Sequence, residues 1–298
     1  MTLQKLANAV IRVNDVSEAV DFNVNVFGLT EMAREDDKVY LGCGLDNDYD
    51  LVLTSGGGGI SQLAYQVMNE DELKMYKSRI EELGIKVDEF TDAEPGHPKK
   101  ISFLLPATNK DIRMDLVTVA HQKSYYNPAS TPHRSLTGAG PQDLDHLGIK
   151  VANGKKFLDF VSAAMDFKPS DIFMPEPEVY AAVWSRSREY HHDLAFFGGT
   201  SCDETLDHIA WRFEGIEHMK RALDMMAPHG LQLEFGIGRH EVGANLFAYF
   251  WVNGNRYELS AEMPRVTDDY SEPKIWDDIT KSMTSWRQMM PESFRKGS

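Results

Sequence analysis

Short segments in which apolar and polar residues alternate recur along the chain, separated by segments whose apolar residues have helical spacing. Alternation with a period of two predicts a half-buried β-strand, and apolar residues three and four positions apart predict a helix with one buried face. Four segments, beginning NAVIRV, QLAYQV, HLGIKV and HIAWRF, each read as a strand followed by a turn and a helix. About three short strands with turn residues follow each helix. The pattern predicts an α+β protein made of four βαβββ modules.

Three of the predicted strands carry His146, His208 and Glu258, within LDHLGIKV, LDHIAWRF and NRYELSAE. Because strand side chains alternate between faces, the apolar neighbours of these residues are expected to face a core, and the three polar side chains to face away from it. A lone histidine in such a place is most often a solvated surface residue. The repeated Leu-Asp-His opening favours another interpretation, since two imidazoles and one carboxylate form the facial triad that holds non-haem Fe(II).

The length and composition of the chain restrict its number of domains, its partners and its location. A chain of 298 residues exceeds the usual single-core size and is expected to form two domains. The formal net charge of −15 argues against a nucleic-acid surface, which needs clustered Lys and Arg. Cys43 and Cys202 are too few for a disulfide framework and lack zinc-site spacing. With no signal-peptide pattern and no apolar run long enough for a membrane span, we expect a soluble, cytoplasmic protein.

The segment HQKSYYNPASTPHRSLTGAGPQD is rich in Pro, Ser, Thr and Gly and is interpreted as a linker. It divides the chain into an N-terminal domain, 1–130, and a C-terminal domain, 131–298, whose aromatic tail from about residue 264 is expected to pack on it. Alignment of the module openings puts Asn8 and Gln62 at the places of His146 and His208, and Asp115 near the place of Glu258. Amides are poor ligands for Fe(II), so the N-terminal domain is expected to be metal-free.

These motifs together resemble the type I extradiol ring-cleavage dioxygenases of the vicinal oxygen chelate superfamily, over nearly the whole chain. The resemblance implies the glyoxalase/bleomycin-resistance fold, with two domains of two βαβββ modules each and the metal in the C-terminal barrel. It also implies Fe(II), or more rarely Mn(II), bound by His146, His208 and Glu258. Members of the family are usually homo-oligomers.

The resemblance extends to two further motifs, YHHDLAFF and GRHEVGANLFAYF. It implies that His192 is the acid–base residue and that His240 and Tyr249 contact the substrate. Strand alternation predicts that His191 faces away from the site while His192 faces it. We assign none of the other histidines to metal; they are His97, His121, His133, His218 and His229.

The function implied is Fe(II)-dependent cleavage of a catecholic ring beside its vicinal hydroxyls by O2, giving a product of the 2-hydroxymuconic semialdehyde type. Two alternatives share the fold. One is a glyoxalase-like isomerase or epoxide-opening transferase, which uses its metal as a Lewis acid. The other is a metal-free protein that binds a small molecule in a groove between single-domain chains.

Overall fold

A computed structural model describes residues 3–43, 48–120, 138–198, 203–268 and 271–298. It contains two curled mixed sheets, one from each half of the chain. The N-terminal half comprises β1 Lys5–Val13, α1 Val16–Asp21 with a π-helical continuation Phe22–Phe27, β2 Thr30–Glu35, β3 Lys38–Gly42, β4 Leu51–Ser55, β5 Ile60–Gln66, α2 Glu70–Glu82, β6 Val87–Glu94, β7 His97–Leu104 and β8 Arg113–Thr118.

The C-terminal half repeats this order of elements and adds a tail. It comprises β9 Leu144–Val151, α3 Gly154–Met165, β10 Lys168–Phe173, β11 Ala182–Arg186, β12 Leu194–Gly198, β13 Leu206–Phe213, α4 Ile216–Met226, β14 Leu233–Arg239, β15 Leu246–Val252 and β16 Asn255–Ala261. The tail forms β17 Lys274–Trp276, α5 Ile279–Met283 and a 3₁₀ turn, Glu292–Arg295. The four predicted βαβββ modules are therefore confirmed, as is the α+β fold class.

Both sheets have the same strand order. In the first it is β2-β3-β4-β1-β5-β8-β7-β6, and in the second it is β10-β11-β12-β9-β13-β16-β15-β14, with β17 added beside β10. The first strands of two modules pair antiparallel at the centre of each sheet, β1 with β5 and β9 with β13. Each central strand also pairs in parallel with the last strand of its own module. Side chains from both modules of a half therefore meet on the concave face of one curled sheet.

One apolar core joins the two halves. The ring of Phe27, at the end of the first helical segment, lies edge-on to Trp211 at 5.5 Å and to Tyr257 at 5.6 Å between centroids. In the other direction, Phe167 lies edge-on to Tyr65 at 5.4 Å. The apolar residues predicted to alternate with the three polar ones are buried in this core; they are Leu147, Ile149, Val151, Ile209, Trp211, Phe213, Tyr257 and Leu259. The opposite face of the same strands therefore points into the curled sheet.

The predicted domain boundary, between residues 130 and 131, lies in the range 121–137, outside the described residues. Division of the chain at that point stays a prediction. Cys202, His121 and His133 also fall outside the described ranges, whereas Cys43 is a buried free thiol. The predicted packing of the tail on the C-terminal half is confirmed, since Phe294 lies against Phe235 and Tyr249. Among the described helices, none is long and apolar enough to cross a membrane.

Candidate metal centre

His146, His208 and Glu258 meet inside the C-terminal sheet. Across neighbouring strands, His146 pairs with Ala210, and Ala210 pairs with Glu258. The Nε2 atom of His146 lies 3.1 Å from Oε2 of Glu258, and Nε2 of His208 lies 3.4 Å from the same oxygen. One ligand atom from each residue falls within 4.8 Å of the others, and all three residues are buried. The three residues predicted as ligands therefore form one compact group.

The donor atoms of this group suit a divalent cation. Each histidine donates from Nδ1 to an aspartate, so Nε2 is the nitrogen that faces Glu258 and would bind a metal. Nε2 of His208 is buried and has no hydrogen-bond partner among the described residues. Buried polar atoms are rarely left unpaired, and a bound metal would satisfy this one. Two imidazoles and a carboxylate are the ligand set of Fe(II) oxygenases, and the same nitrogen and oxygen donors also suit Mn(II).

Glu258 is held in its ionised form. Burial alone would raise the pKa of its carboxyl, but the neighbouring His146 and His208 outweigh burial and lower it. Asn245 donates from Nδ2 to Oε1 of Glu258 at 3.4 Å. With one carboxylate and two neutral imidazoles, a divalent metal at this place would retain a net charge near +1, which favours an anionic ligand such as a catecholate.

His192 borders this group, with its ring centroid 4.4 Å from that of His146. Burial lowers the pKa of the His192 imidazole well below its ordinary value, and the charge of His146 lowers it further. His192 lines the small cavity at this site and His191 does not, although strand alternation is not the reason. His191 and His192 lie in a bend before β12, where strand alternation does not apply, and their Nδ1 atoms are 2.9 Å apart. His191 also bonds Oδ2 of Asp171 through Nε2 at 2.6 Å.

His240 and Tyr249 are bonded to each other on the opposite side of the group. Nδ1 of His240 donates to the Met283 carbonyl at 2.6 Å, so its Nε2 accepts from the Tyr249 hydroxyl at 2.9 Å. Burial lowers the pKa of His240 to about 4, although Glu258 opposes the shift. Burial and Glu258 both raise the pKa of Tyr249 well above its ordinary value. Both groups are therefore uncharged near neutral pH.

A small cavity of about 20 Å³ opens between these residues. Beyond the site residues already described, its walls are mostly apolar; they are formed by Trp184, Phe197, Val242, Met283 and Phe294. Asp207 also contributes, but the described lining contains no Lys or Arg. Met283 and Phe294 belong to the tail, which thus forms one wall of the cavity. The site is enclosed, and the side chains available to contact a substrate ring are apolar.

The strands of the N-terminal half pair in the same register as those of the C-terminal half, but other residues stand at the positions of the three proposed ligands. Asn8 pairs with Ala64, and Ala64 pairs with Asp115, just as His146, Ala210 and Glu258 pair in the other half. The predicted correspondence of Asn8 and Asp115 with metal ligands is therefore confirmed at the level of strand register. Oδ2 of Asp115 accepts from Gln62 at 2.9 Å and lies 2.7 Å from the Lys100 ammonium, so a lysine neutralises this buried carboxylate.

Sequence reasoning gave no role to Asp145 or Asp207, although both belong to the repeated Leu-Asp-His opening. Asp145 accepts from Nδ1 of His146 at 3.0 Å, and Asp207 accepts from Nδ1 of His208 at 2.8 Å. The repetition of the aspartate together with the histidine was the signal that could have identified them. Asn245 and Phe294 carried no such signal, because tertiary contacts alone bring them to the site.

Comparisons with known proteins agree with this geometry. Residues 143–259 match the model of the Glyoxalase/Bleomycin resistance protein/Dioxygenase superfamily. A manganese-dependent 2,3-dihydroxybiphenyl 1,2-dioxygenase of Geobacillus genomosp. 3 is 22% identical over 285 residues, covering 93% of this chain and 90% of that protein. Metapyrocatechase 2 of Cupriavidus necator is 26% identical over 157 residues, covering 52% of this chain and 47% of that protein.

Solved structures show the same fold. Homoprotocatechuate 2,3-dioxygenase from Brevibacterium fuscum, in complex with 3,4-dihydroxyphenylacetate, superposes with a TM-score of 0.85 at 19% identity, covering 100% of this chain and 93% of that one. The 2,3-dioxygenase LapB from Pseudomonas sp. KL28 gives a TM-score of 0.82 at 21% identity, covering 93% and 98%. Residues 143–259 therefore match the Glyoxalase/Bleomycin resistance protein/Dioxygenase superfamily, and the chain as a whole has the two-sheet fold of these solved dioxygenases.

Proposed function

We propose that this protein is an extradiol dioxygenase that opens a catecholic ring beside its two hydroxyls. The observation that carries the proposal is the buried group of His146, His208 and Glu258 with His192 against it. Both atoms of O2 enter the product, so catechol itself would give 2-hydroxymuconic semialdehyde. The named relatives are ring-cleaving dioxygenases, which supports the same reaction class.

His146, His208 and Glu258 would hold Fe(II) or Mn(II). A bound metal of this kind supplies open positions for the catechol oxygens and for O2, and lets electrons pass between ring and oxygen one at a time. The protein residues have to do the rest: bind the ring, exclude water, and move protons. Trp184 and Phe197, in the walls of the cavity, offer apolar contact to a ring and help to exclude water.

His192 is proposed as the residue that takes a proton from the catechol and returns one later in the reaction. Its lowered pKa keeps the imidazole neutral, so it can accept a proton at neutral pH. The Asp171 carboxylate only accepts, so Nε2 of His191 carries a proton, and Nδ1 of a neutral His191 accepts from Nδ1 of His192. This leaves Nε2 of His192 with the lone pair. His191 is thus a positioning residue for the tautomer of His192.

His240 and Tyr249 are proposed to contact the substrate oxygens. Because His240 is fixed by the Met283 carbonyl, the Tyr249 hydroxyl that it holds has a defined direction. A catecholate entering the cavity would compete for that hydroxyl proton, so the pair can supply a neutral hydrogen bond to a developing negative charge.

The Lewis-acid alternative, a glyoxalase-like isomerase or transferase, assigns no proton-transfer role to His192. The metal-free alternative gives no reason for a buried, unpaired Nε2 on His208. Neither is favoured by a specific observation. A cytoplasmic location and a homo-oligomeric state stay predictions.

The test uses apo-protein loaded anaerobically with Fe(II) or Mn(II), supplied with catechols in air-saturated buffer, and followed by absorbance of the yellow product and by O2 uptake. His192→Ala should keep metal and substrate binding and lose turnover by roughly 100-fold or more, the usual scale for a positioned acid–base group. His191→Ala should retain more activity than His192→Ala and shift the pH profile of turnover.

Two results would refute the proposal. One is a wild-type protein that binds neither metal, and the other is a metal-loaded protein that consumes no O2 with any catechol. Full activity in His192→Ala at matched metal content would refute the role of that residue alone. Ser61→Ala, in the N-terminal half and away from the proposed centre, is a control that should match the wild type.

A further inference from the structure

Asp145 and Asp207 both lie at irregularities in the pairing of β9 with β13. Along β13, Leu206 pairs with Ile149 and the next pair is His208 with Gly148, so Asp207 has no residue opposite it. Along β9, Ala210 pairs with His146 and the next pair is Trp211 with Leu144, so Asp145 is the extra residue there. Such bulges redirect side chains. Each bulge lets an aspartate reach the imidazole of the histidine that follows it.

The N-terminal half has the same two bulges with different residues. Ala7 is the extra residue on β1, between Leu6 and Asn8, and Ser61 is the extra residue on β5, between Ile60 and Gln62. The strand geometry therefore exists without a carboxylate at either bulge. Aspartate occurs at these positions only in the half that carries the histidines, so the fold itself does not require it.

We propose that Asp145 and Asp207 are positioning residues for the metal centre, each fixing the tautomer and the ring orientation of one histidine ligand. A carboxylate only accepts hydrogen bonds, so each aspartate holds a proton on Nδ1 and leaves Nε2 as the nitrogen that can bind a metal. Carboxylates in this role orient histidine ligands and make them more basic. The inference rests on the proposed metal site.

Asp145 is itself held by a cation and a hydroxyl. Asp145 accepts from Nε of Arg212 at 3.0 Å and from the Ser260 hydroxyl at 2.8 Å, and Asn245 links Ser260 to Glu258. Through this chain, Asp145 is connected to two of the three ligands. An imidazole bonded to it cannot rotate without breaking several contacts.

Asp207 is fixed in a different way. Its Oδ2 lies 2.5 Å from the Lys150 ammonium, and its Oδ1 lies 3.5 Å from Nη1 of Arg256, which also donates to the Asp207 carbonyl at 3.0 Å. Both cations are buried. They keep the carboxylate ionised and immobile, so His208 has one direction available for Nε2.

The experiment measures binding of Mn(II) to apo-protein by competition with a chromophoric chelator, together with the d–d spectrum of the Co(II)-loaded protein. Asp145→Asn and Asp207→Asn keep the side-chain volume and remove the charge. Each should weaken Mn(II) binding by about 10- to 100-fold, the range for such partners of metal-bound histidines. Each should also change the Co(II) spectrum, which a role limited to folding stability would not alter.

Asp115→Asn is the matched control, because it removes a buried carboxylate paired with a lysine in the half without the histidines. It should leave Mn(II) affinity unchanged even where it lowers thermal stability. Folded Asp145→Asn and Asp207→Asn proteins with wild-type Mn(II) affinity and an unaltered Co(II) spectrum would overturn the inference. A wild-type protein that binds neither Mn(II) nor Fe(II) would instead refute the proposed function.

Loss of Asp207 alone leaves the Lys150 ammonium buried without its partner, which can prevent folding. The double variant Asp207→Asn with Lys150→Met removes the carboxylate and the cation together. It should fold and still bind Mn(II) about 10- to 100-fold more weakly than the wild type. Recovery of wild-type affinity in the double variant would show that the carboxylate serves only to balance the lysine.

Discussion

Gly148 leaves the space that the His208 ring occupies. The two residues pair across β9 and β13, and a Cβ atom built on Gly148 would lie 2.5 Å from Cε1, 2.6 Å from Nδ1 and 3.0 Å from Nε2 of that ring. Carbon atoms approach most favourably at about 3.5 to 4.0 Å. In Gly148→Ala the imidazole of His208 must therefore move by about 1 Å.

The ring has little freedom to make that movement. Its Nδ1 is held by Asp207 at 2.8 Å, and the rings of His146 and Tyr249 lie 5.2 and 5.6 Å away between centroids. Metal–ligand distances tolerate deviations of about 0.2 Å, so a displacement several times larger removes one ligand from a workable position. We expect Gly148→Ala to weaken metal binding by about 100-fold, or about 2.7 kcal/mol, and to lower the apo-protein's unfolding free energy by about 1 to 3 kcal/mol through overpacking.

Metal affinity measured by chelator competition and apo-protein stability measured by urea unfolding separate the two effects. Gly215→Ala is the control, because the nearest atom to its new Cβ would be Oε1 of Glu262 at 3.8 Å and its φ of 171° is extended backbone. Gly148→Ala protein with wild-type metal affinity would refute the reasoning, since the ring could then accept the methyl group without leaving its place.

Two further predictions concern the cavity and the N-terminal half. Because the described lining carries no Lys or Arg, catechol and methylcatechols should have kcat/KM values at least about 10-fold above those of carboxylated catechols; a preference for the carboxylated compounds would contradict this. Burial opposes protonation of His97, but Asp48 and Glu94 outweigh it and raise its pKa to about 9. Because the pKa of His97 is higher in the folded than in the unfolded protein, protonation stabilises the fold. The free energy of unfolding of the wild type should therefore exceed that of His97→Gln by its full amount below pH 6.5, the ordinary pKa of an unfolded histidine. This difference, measured by urea unfolding, should fall by roughly 2 to 3 kcal/mol as the pH rises to 9. A difference that does not change with pH would contradict the raised pKa.

The sequence was sufficient to predict the modules, because each strand that carries a ligand has apolar neighbours on its other face. It was also sufficient to group His146, His208 and Glu258, since alternation placed each of them opposite the core residues of its own strand. Alternation does not apply to His191, which lies in a bend, and it could not reveal the contacts of Asp145 and Asp207, which depend on bulges. Phe294 and Met283 reach the site only through packing of the tail, and no local periodicity encodes that packing.

The lysine beside Asp115 has a consequence for how two such similar halves can come to differ. Lys100 Nζ lies 2.7 Å from Asp115 Oδ2 and 3.0 Å from Glu94 Oε2. The two buried carboxylates are therefore balanced by a lysine of the chain itself, and they need no metal ion from solution. Replacing Asn8 and Gln62 by histidines would therefore not create a second centre while this ammonium stays in place. If the halves arose by duplication, a metal centre in the N-terminal half would need the removal of this lysine as well as the two histidines, and so more than one substitution at a time.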